Sequence, residues 1–335
     1  MEIPNQWRNR EPINVLQSES EEDDEDEDEE INHFSWENIQ RLNDEEERRT
    51  ITGYTGRQLN NLWTLVEPSF RFEGKGKRRK ILNPQSSFIM LLVWLRHYEI
   101  FKMLAPRFNL KYTWAHDLIV DTIYRIHDIL VNSQVHFIHS NIQRLQGWRL
   151  DDFPNVIAIV DTTVQQISRP VYHQEDWYDG KHKCHSIKTQ TINAPNGLVM
   201  HYNAGLRGPI HDKRVWDITW EGDVQHFFHQ EMQMMDDPPE VLADKAYLGV
   251  NQVTIIMPYR GQRRNLTEEE IEFNQKVSRH RVIIEQFYGR LKNKFRAIGN
   301  KWRHDKGEFY IKTMGVAISL INWEIRNGHP LNNNF

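Results

Sequence analysis

The sequence predicts a mixed α/β fold, in which helices pack on a sheet, preceded by an all-helical module. Three observations support this fold class. The run at 156–160, VIAIV, is short, apolar and rich in β-branched residues, as in a strand buried on both faces. The pair Asn196-Gly197 is typical of the tight turn of a hairpin. On either side of this strand region, apolar residues recur at helical spacing.

The helical module comes first in the chain. Between 84 and 131, apolar residues recur every three or four positions, which predicts helices. Within this region, 103–126 has the pattern of a helix-turn-helix whose longer second helix begins near Thr113, a motif that binds DNA. A purely structural helical bundle fits the same pattern.

Strands and then further helices follow. Short runs predict additional strands at 185–192, 198–203, 241–243 and 254–257. Thr267 and Glu270 have the spacing of a capping box, which predicts that a helical region begins there and continues to about 298. The spacing of the last apolar residues predicts a helix over 309–325.

Charge is distributed unevenly along the chain. The 335 residues have a formal net charge of −5, yet the segment 19–30 alone carries eleven carboxylates and no basic residue. Without that segment, 42 basic residues face 36 acidic ones. We therefore expect residues 1–33 to form a disordered acidic tail, and the folded remainder to bind a polyanion. The tail would compete with that polyanion, contact a partner, or serve only solubility.

Other features narrow the class of protein. The longest apolar run, 88–95, has eight residues, too few to span a membrane. The N-terminus lacks an apolar signal core, and the one cysteine, Cys184, can form no internal disulfide, so a reducing, intracellular compartment is expected. The loop at 75–80 holds five basic residues, which fits a nuclear-import signal, a phosphate contact or a solvated loop.

Two aspartates follow apolar strand runs. Asp161 comes directly after 156–160, and Asp244 comes directly after the run at 241–243. A carboxylate at the carboxyl end of a buried strand faces the crevice where α/β proteins bind ligands. Either aspartate alone would more simply be a turn or cap residue.

A glutamate on the long helix after Thr267 is notable for its surroundings. Glu285 lies off the apolar seam of that helix, in the same angular sector as Arg281, Lys292 and Arg296. Between 274 and 303 it is the only acid among nine bases. The simpler interpretation is an ion pair with Arg281 on a solvated face. The alternative is that the bases bind phosphates while the carboxylate completes a metal site.

Three such carboxylates are suited to hard divalent cations. Mg²⁺ and Mn²⁺ prefer oxygen ligands. Two ions about 3.5 to 4 Å apart can activate a water and stabilise the leaving oxygen of a phosphodiester. If Asp161, Asp244 and Glu285 converge, they could hold two ions, and the neighbouring bases then indicate nucleic acid as the substrate. Zinc binding is less favoured, because the sequence has no paired Cys-x2-Cys to accompany His182, Cys184, His185 and His211.

The order and spacing of these motifs resemble DDE-superfamily transposases of the Harbinger/PIF type. Arg281, Glu285 and Lys292 have the spacing of the family's Tyr-x2-Arg-x3-Glu-x6-Lys signature, with Ser278 in place of the tyrosine. Thr162 stands where the family has Gly or Ser. The further matches, in family order, are Asp161-Thr162-Thr163, Gly180-Lys181-His182-Lys183-Cys184-His185, Gly208-Pro209-Ile210-His211-Asp212, Ala243-Asp244-Lys245-Ala246-Tyr247 and Phe273-Asn274.

The resemblance implies an RNase H-like DDE endonuclease domain at 151–329, after a helix-turn-helix-like DNA-binding module at 34–150. In that fold the first and fourth strands are adjacent, which would bring Asp161 and Asp244 together while Glu285 reaches in from a helix. These three would be the catalytic residues and the metal ligands. Asp212 is a rival second carboxylate, on a Gly/Pro loop that is a poorer platform than a strand end. The implied DNA contacts are Arg281, Lys292, Arg296, Lys245 and Lys181.

The implied activity is metal-dependent cleavage of DNA phosphodiester bonds, with strand transfer as an optional further step. The implied partners are DNA, a separate DNA-binding protein and further copies of the chain, and the implied location is the nucleus. The alternative is a host-adapted, non-catalytic descendant that binds DNA or a protein through the same fold. The intact Asp161, Asp244 and Glu285 favour the enzyme.

Overall fold

A computed structural model describes residues 34–70 and 82–331. The predicted acidic tail at 1–33 and the basic loop at 75–80 lie outside the described residues, as do residues 332–335. Within the described ranges, no helix is long and apolar enough to cross a membrane.

Helices lie before and after the strand region in sequence, as predicted, and two further helices, at 212–220 and 223–234, lie within it and were not predicted. The helices are α1 (Trp36–Arg41), α2 (Glu45–Thr52), α3 (Gly56–Val66), α4 (Pro84–His97), α5 (Phe101–Leu104), α6 (Tyr112–Gln134), α7 (Ser140–Leu145), α8 (Asp212–Trp220), α9 (Asp223–Met234), α10 (Glu268–Lys294), α11 (Arg296–Gly299) and α12 (Glu308–Arg326). The predicted capping box at the start of α10 is present, with both of its hydrogen bonds between Thr267 and Glu270. The helical region ends near 298, as expected, but as two helices separated at Phe295.

The strands form one mixed sheet. They are β1 (Val156–Gln166), β2 (Tyr178–Asp179), β3 (Cys184–Asn193), β4 (Val199–Arg207), β5 (Glu240–Leu242) and β6 (Thr254–Ile256). β1, β3 and β4 are antiparallel neighbours, and β5 and then β6 continue the sheet parallel to β1 on its other side. The short β2 pairs with the first residues of β3. This mixed α/β arrangement, with β1 next to β5, agrees with the predicted RNase H-like fold.

The position of Asp161 in its strand differs from the prediction. Asp161 lies in the middle of β1, which continues to Gln166, and not at its end. The reason is that β1 has different neighbours along its length. From Val156 to Ile159 it pairs with β5, and from Ile159 to Gln166 it pairs with β3. Asp161 therefore marks the point where β1 leaves its parallel partner, a change that the break in the apolar run reflects.

Helices cover both faces of the sheet. Ile159 belongs to a hydrophobic cluster with α4, α6, α10 and α12, whereas its neighbours Ala158 and Val160 pack in a second cluster with α8 and α9. This alternation is the one expected of a strand. Every residue of α4 from Phe88 to Leu95 is buried, as its uniformly apolar sequence requires. α4 and α6 share one hydrophobic cluster with α10 and α12. The domain boundary predicted at 150 stays a prediction.

The predicted helix-turn-helix segment contains two helices around a tight turn. α5 has four residues and passes through a 3₁₀ turn to Asn109, whose φ of 51° is left-handed. α6 then begins at Tyr112, one residue before the predicted Thr113, and has no side-chain cap. Its apolar side is buried, and the acidic residues Asp117 and Asp121 lie on its exposed side. DNA binding by this segment stays a prediction.

Candidate active site

Two neighbouring strands bring two of the predicted carboxylates to the same level of the sheet. In the parallel pair β1–β5, Ile159 is opposite Leu242. Asp161 and Asp244 each follow two residues later, so they lie side by side. β5 ends at Leu242, and Asp244 then caps a short 3₁₀ turn.

A cavity of about 460 Å³ opens beside these aspartates. Residues from β1, the β2–β3 turn, β3, the start of α8 and α10 line it. Its charged and ionisable lining includes Asp161, Asp212, Asp244, Lys181, His182, Lys188 and Lys292. Two larger cavities, of about 540 and 610 Å³, lie around His136 and Phe137 and contain none of the predicted site residues. Acidic and basic groups thus meet in the smaller cavity.

Asp161 is a carboxylate in an unfavourable electrostatic environment. Burial raises its pKa to about 6, and the charges of Asp244 and Asp212 contribute to the rise. The backbone N–H of Thr162, which donates to Oδ1 at 2.8 Å, and the charge of Arg281 oppose it. The acidic side of the cavity is therefore incompletely neutralised, and a bound cation would be stabilised there.

Asp244 and its rival Asp212 differ in how they are neutralised. Oδ1 of Asp244 accepts a hydrogen bond of 2.7 Å from the backbone N–H of Ala246. Asp212 instead forms a largely buried ion pair with Nζ of Lys188, at 3.2 Å from Oδ1. Asp244 has no ion pair among the residues that the structure describes. Because Asp212 already has a lysine partner, Asp244 is the better second carboxylate beside Asp161.

Tyr288 supports the site from α10, a role that the sequence interpretation missed. Its Oη donates to the backbone carbonyl of Asp161 at 2.8 Å and lies 2.9 Å from Oγ1 of Thr191. The ring is buried, and burial raises the pKa of its hydroxyl well above the usual range. Tyr288 comes three residues after Glu285 on the same helix, and that spacing was the available signal.

Tyr247 supports the site from the other side. Its Oη lies 3.0 Å from Oγ1 of Thr162 and accepts a hydrogen bond of 3.1 Å from Nε2 of Gln190. Thr162, a departure from the resembled motif, therefore has a hydrogen-bonding role in this chain. Tyrosines from two separate elements thus hold the backbone carbonyl of Asp161 and the side chain of Thr162, which restricts the movement of this part of β1.

Glu285 does not reach the cavity. Its side chain is 56% exposed, and Oε1 lies 3.7 Å from Nη2 of Arg281. The same Nη2 lies 3.6 Å from Oδ2 of Asp161. Arg281 therefore lies between the two carboxylates, and the separation of their nearest oxygens cannot exceed the sum of these two distances. The structure shows the ion pair with Arg281 on an exposed face, whereas completion of a metal site by Glu285 stays a prediction.

The predicted DNA contacts occupy different positions around the site. Lys292 lines the cavity and donates from Nζ to the carbonyl of Val164 at 3.1 Å. Burial lowers its pKa, against the opposing charge of Asp161. Lys181 lines the cavity from the exposed β2–β3 turn, Lys245 directly follows Asp244, and Arg296 is exposed beyond the end of α10.

The residues of the cavity suit a hard divalent cation in part. Asp161 and Asp244 offer neighbouring oxygen donors beside charge that needs neutralisation, which fits Mg²⁺ or Mn²⁺. However, across residues 34–70 and 82–331, no group of three or more His, Cys, Asp or Glu side chains is gathered closely enough to hold a metal ion. Glu285 would have to turn inward, past Arg281, to become a third ligand.

Comparison with known proteins identifies the family to which this site belongs. Residues 160–322 match the DDE superfamily endonucleases. This part of the chain belongs to that family. The chain is also 23% identical over 283 residues to a probable transposase for insertion sequence element IS702 of Microchaete diplosiphon, a match that covers 83% of this chain and 94% of the relative. No solved structure matches.

The matched region begins one residue before Asp161 and ends within α12. The DDE domain thus includes Asp161, Asp244, Glu285 and all five predicted DNA contacts. The resemblance to DDE transposases is confirmed, whereas the Harbinger/PIF type stays a prediction.

Proposed function

We propose that this DDE domain cleaves phosphodiester bonds of DNA with the help of Mg²⁺ or Mn²⁺. The observation that supports the proposal is the side-by-side placement of Asp161 and Asp244 in one cavity, with charge that the described neighbours leave incompletely neutralised. The basic residues at the same cavity would neutralise the phosphates of the substrate.

The carboxylates of Asp161 and Asp244 would hold the cation, and Glu285 would join them. A bound divalent ion supplies a nucleophilic hydroxide and stabilises the leaving oxygen. The chain itself supplies orientation: Tyr288 and Tyr247 hold the backbone and hydroxyl groups beside Asp161. Lys292 and Lys181, which both line the cavity, would position the phosphate, one from a helix and the other from a turn.

A nicking assay tests this proposal. Purified full-length protein is incubated with supercoiled plasmid in Mg²⁺, in Mn²⁺ and in a chelator. We expect conversion to the nicked circle with either ion and none with the chelator. If the protein nicks the plasmid neither in Mg²⁺ nor in Mn²⁺, over a range of pH and salt at which it binds the plasmid, the proposal is contradicted.

A second function, binding without cleavage, is supported by a specific observation. Arg281 lies between Asp161 and Glu285 and would compete with a cation for their oxygens. A non-catalytic descendant of a transposase that no longer binds a metal ion would keep Arg281 paired with both carboxylates. In that case the protein would bind DNA equally well with the ion and with the chelator.

DNA binding itself would depend on α10 and the segment after it. We expect Arg296→Ala and Lys292→Gln each to weaken binding on every duplex sequence and to lower the slope of log affinity against log salt by ~1. The reason is that each removed cation gives up one phosphate contact. Fluorescence anisotropy at several salt concentrations measures the slope.

Lys276 provides a matched control on the same helix. It is ion-paired with Glu272 at 2.8 Å, away from the cavity. We expect Lys276→Ala to leave the slope unchanged. A loss of affinity confined to one DNA sequence in the Arg296 or Lys292 variants would indicate base contacts and contradict the assignment to phosphates.

Strand transfer, a nuclear location, a separate DNA-binding partner and self-association remain proposals. Each rests on the resemblance to transposases described above.

A further inference from the structure

The turn between β2 and β3 carries a histidine beside the proposed site. Asp179 and Cys184 are paired across the two strands, so the loop between them has four residues, including Lys181 and His182. Both of these line the cavity that contains Asp161 and Asp244. Lys183 has a φ of 54°, a left-handed conformation that is unfavourable for a lysine. The turn is therefore held in a conformation that its own sequence does not favour.

Asp179 holds this turn in place. Its side chain is 5% exposed, and its Oδ1 accepts hydrogen bonds from the backbone N–H groups of Lys181 and His182, at 2.9 and 3.2 Å. Its Oδ2 pairs with Nδ1 of His182 at 2.7 Å. Burial alone would raise the pKa of Asp179, but the hydrogen bonds from the side chain and backbone of His182 outweigh it and the pKa is lowered. Asp179 is thus a buried anion bound to the imidazole.

The arrangement leaves one ring nitrogen of His182 available. Nδ1 is hydrogen-bonded to the carboxylate of Asp179, and no hydrogen bond to Nε2 occurs among the described residues. The side chain is 41% exposed, so Nε2 can exchange protons with solvent. A carboxylate on one nitrogen fixes the orientation of the ring, which is how an aspartate–histidine pair prepares a general acid or base.

We propose that His182 is a catalytic residue of the proposed cleavage reaction and donates the proton that the leaving oxygen needs, with Asp179 as its positioning residue. The inference rests on the proposed nuclease function. In the resembled family's block this position is a lysine, so the assignment concerns this chain. It adds an acid to the cavity from the turn between β2 and β3.

The proton balance of the step is simple. The oxygen of a water forms a bond to phosphorus, and the bond between phosphorus and the leaving oxygen breaks with its electron pair. The leaving oxygen takes the proton from Nε2 of His182, and the attacking water loses a proton to solvent. The neutral imidazole then regains a proton from solvent before the next turnover.

The chain provides a matched control for this pair. His139 and Glu231 have the same geometry, with Nδ1 and Oε1 at 2.6 Å, an imidazole that is 37% exposed and a carboxylate that is fully buried. They lie outside the cavity of Asp161 and Asp244. If a histidine–carboxylate pair matters only for folding, His139→Gln and His182→Gln should have similar effects on cleavage and on thermal stability.

A substrate with a sulfur leaving group tests proton donation directly. A thiolate leaves phosphorus without a proton, because it is a far weaker base than an alkoxide. Cleavage is measured in Mn²⁺ on a short duplex with an ordinary linkage, and on duplexes with sulfur at the 3′ or the 5′ bridging position. DNA affinity is measured in a chelator, as a readout separate from cleavage.

We expect His182→Gln and His182→Ala to slow cleavage of the ordinary linkage by ~10²- to 10⁴-fold, the usual contribution of a general acid. On the duplex whose leaving atom is sulfur, the same variants should lose less than about tenfold, and their DNA affinity should be unchanged. Asp179→Asn should slow cleavage of the ordinary linkage by a smaller factor, and sulfur as the leaving atom should again restore the rate. Combined with His182→Ala, it should cause no further loss of cleavage rate.

Three outcomes would overturn the inference. An equal loss on oxygen and sulfur linkages would mean a structural or binding role. Full activity of His182→Lys on the ordinary linkage would mean that positive charge alone suffices. Cleavage by His182→Ala within about threefold of the wild type would exclude the role while leaving the nuclease proposal intact. If the wild-type protein cuts neither linkage, the nuclease proposal fails, and this inference fails with it.

Discussion

Replacement of Asp161 or Asp244 by alanine is expected to abolish cleavage of plasmid DNA. Metal-ion stabilisation of a reacting phosphoryl group contributes several kcal/mol, and each 1.4 kcal/mol is a factor of ten in rate, so the loss should be on the order of 10³-fold or more. DNA affinity should be retained or slightly increased, because each change removes negative charge beside the phosphates. Initial rates of nicking in Mg²⁺, with anisotropy in a chelator, measure the two effects.

An exposed aspartate elsewhere serves as the control for this experiment. Asp121 lies on the exposed side of α6 and is ion-paired with Arg125. Asp121→Ala should cut at the wild-type rate. A variant of Asp161 or Asp244 that retains more than about a tenth of wild-type activity would argue against a shared metal site.

The second large effect is on stability. Burial raises the pKa of Asp161 from 3.8 to about 6 in the folded protein. A carboxyl group whose pKa is raised by folding binds its proton more tightly in the folded state. Its contribution to stability is therefore fully present below pH 4 and is lost as the pH rises through about 6. At pH 7 to 8 and without metal, the charged Asp161 weakens the fold.

Asp161→Asn should consequently stabilise the protein at neutral pH. The rise of the pKa from 3.8 to about 6 corresponds to an upper limit of ~3 kcal/mol in the free energy of unfolding. The difference from wild type should shrink as the pH is lowered from 8 to 4. Denaturant unfolding in a chelator at several pH values measures it, with Asp121→Asn as the control. An Asp161→Asn variant that is less stable than wild type at pH 8 would contradict this account of the site.

The strands and the closeness of Asp161 to Asp244 could be predicted from the sequence more completely than the side-chain contacts around these two aspartates. Asp161 and Asp244 could be placed because each follows an apolar run and because the resembled fold puts those strands together. The continuation of β1 to Gln166 could not be predicted, because its polar residues pair with β3 on one side only. Strand propensity alone does not contain that asymmetry.

Contacts between distant side chains were beyond the sequence interpretation. The hydrogen bond from Tyr288 to the carbonyl of Asp161 depends on how α10 is rotated against β1. The pairing of Asp179 with His182 depends on the conformation of the turn between β2 and β3. The apolar seam and capping box of α10 were visible in the sequence, but the position of Arg281 between two carboxylates depends on side-chain rotamers.

The binding of Mn²⁺ by single variants tests the central claim most directly, because that claim is that Asp161, Asp244 and Glu285 form one metal site. Titration of Mn²⁺ into the wild type, Asp161→Asn, Asp244→Asn and Glu285→Gln, followed by electron paramagnetic resonance, counts the bound ions. Glu272→Gln, an exposed glutamate earlier on α10, is the matched control. We expect the control to bind as the wild type does, and each of the other three variants to lose bound Mn²⁺ or to bind it at least about tenfold more weakly. Wild-type binding by Glu285→Gln would contradict the account, because it would mean that Arg281 keeps Glu285 out of the site.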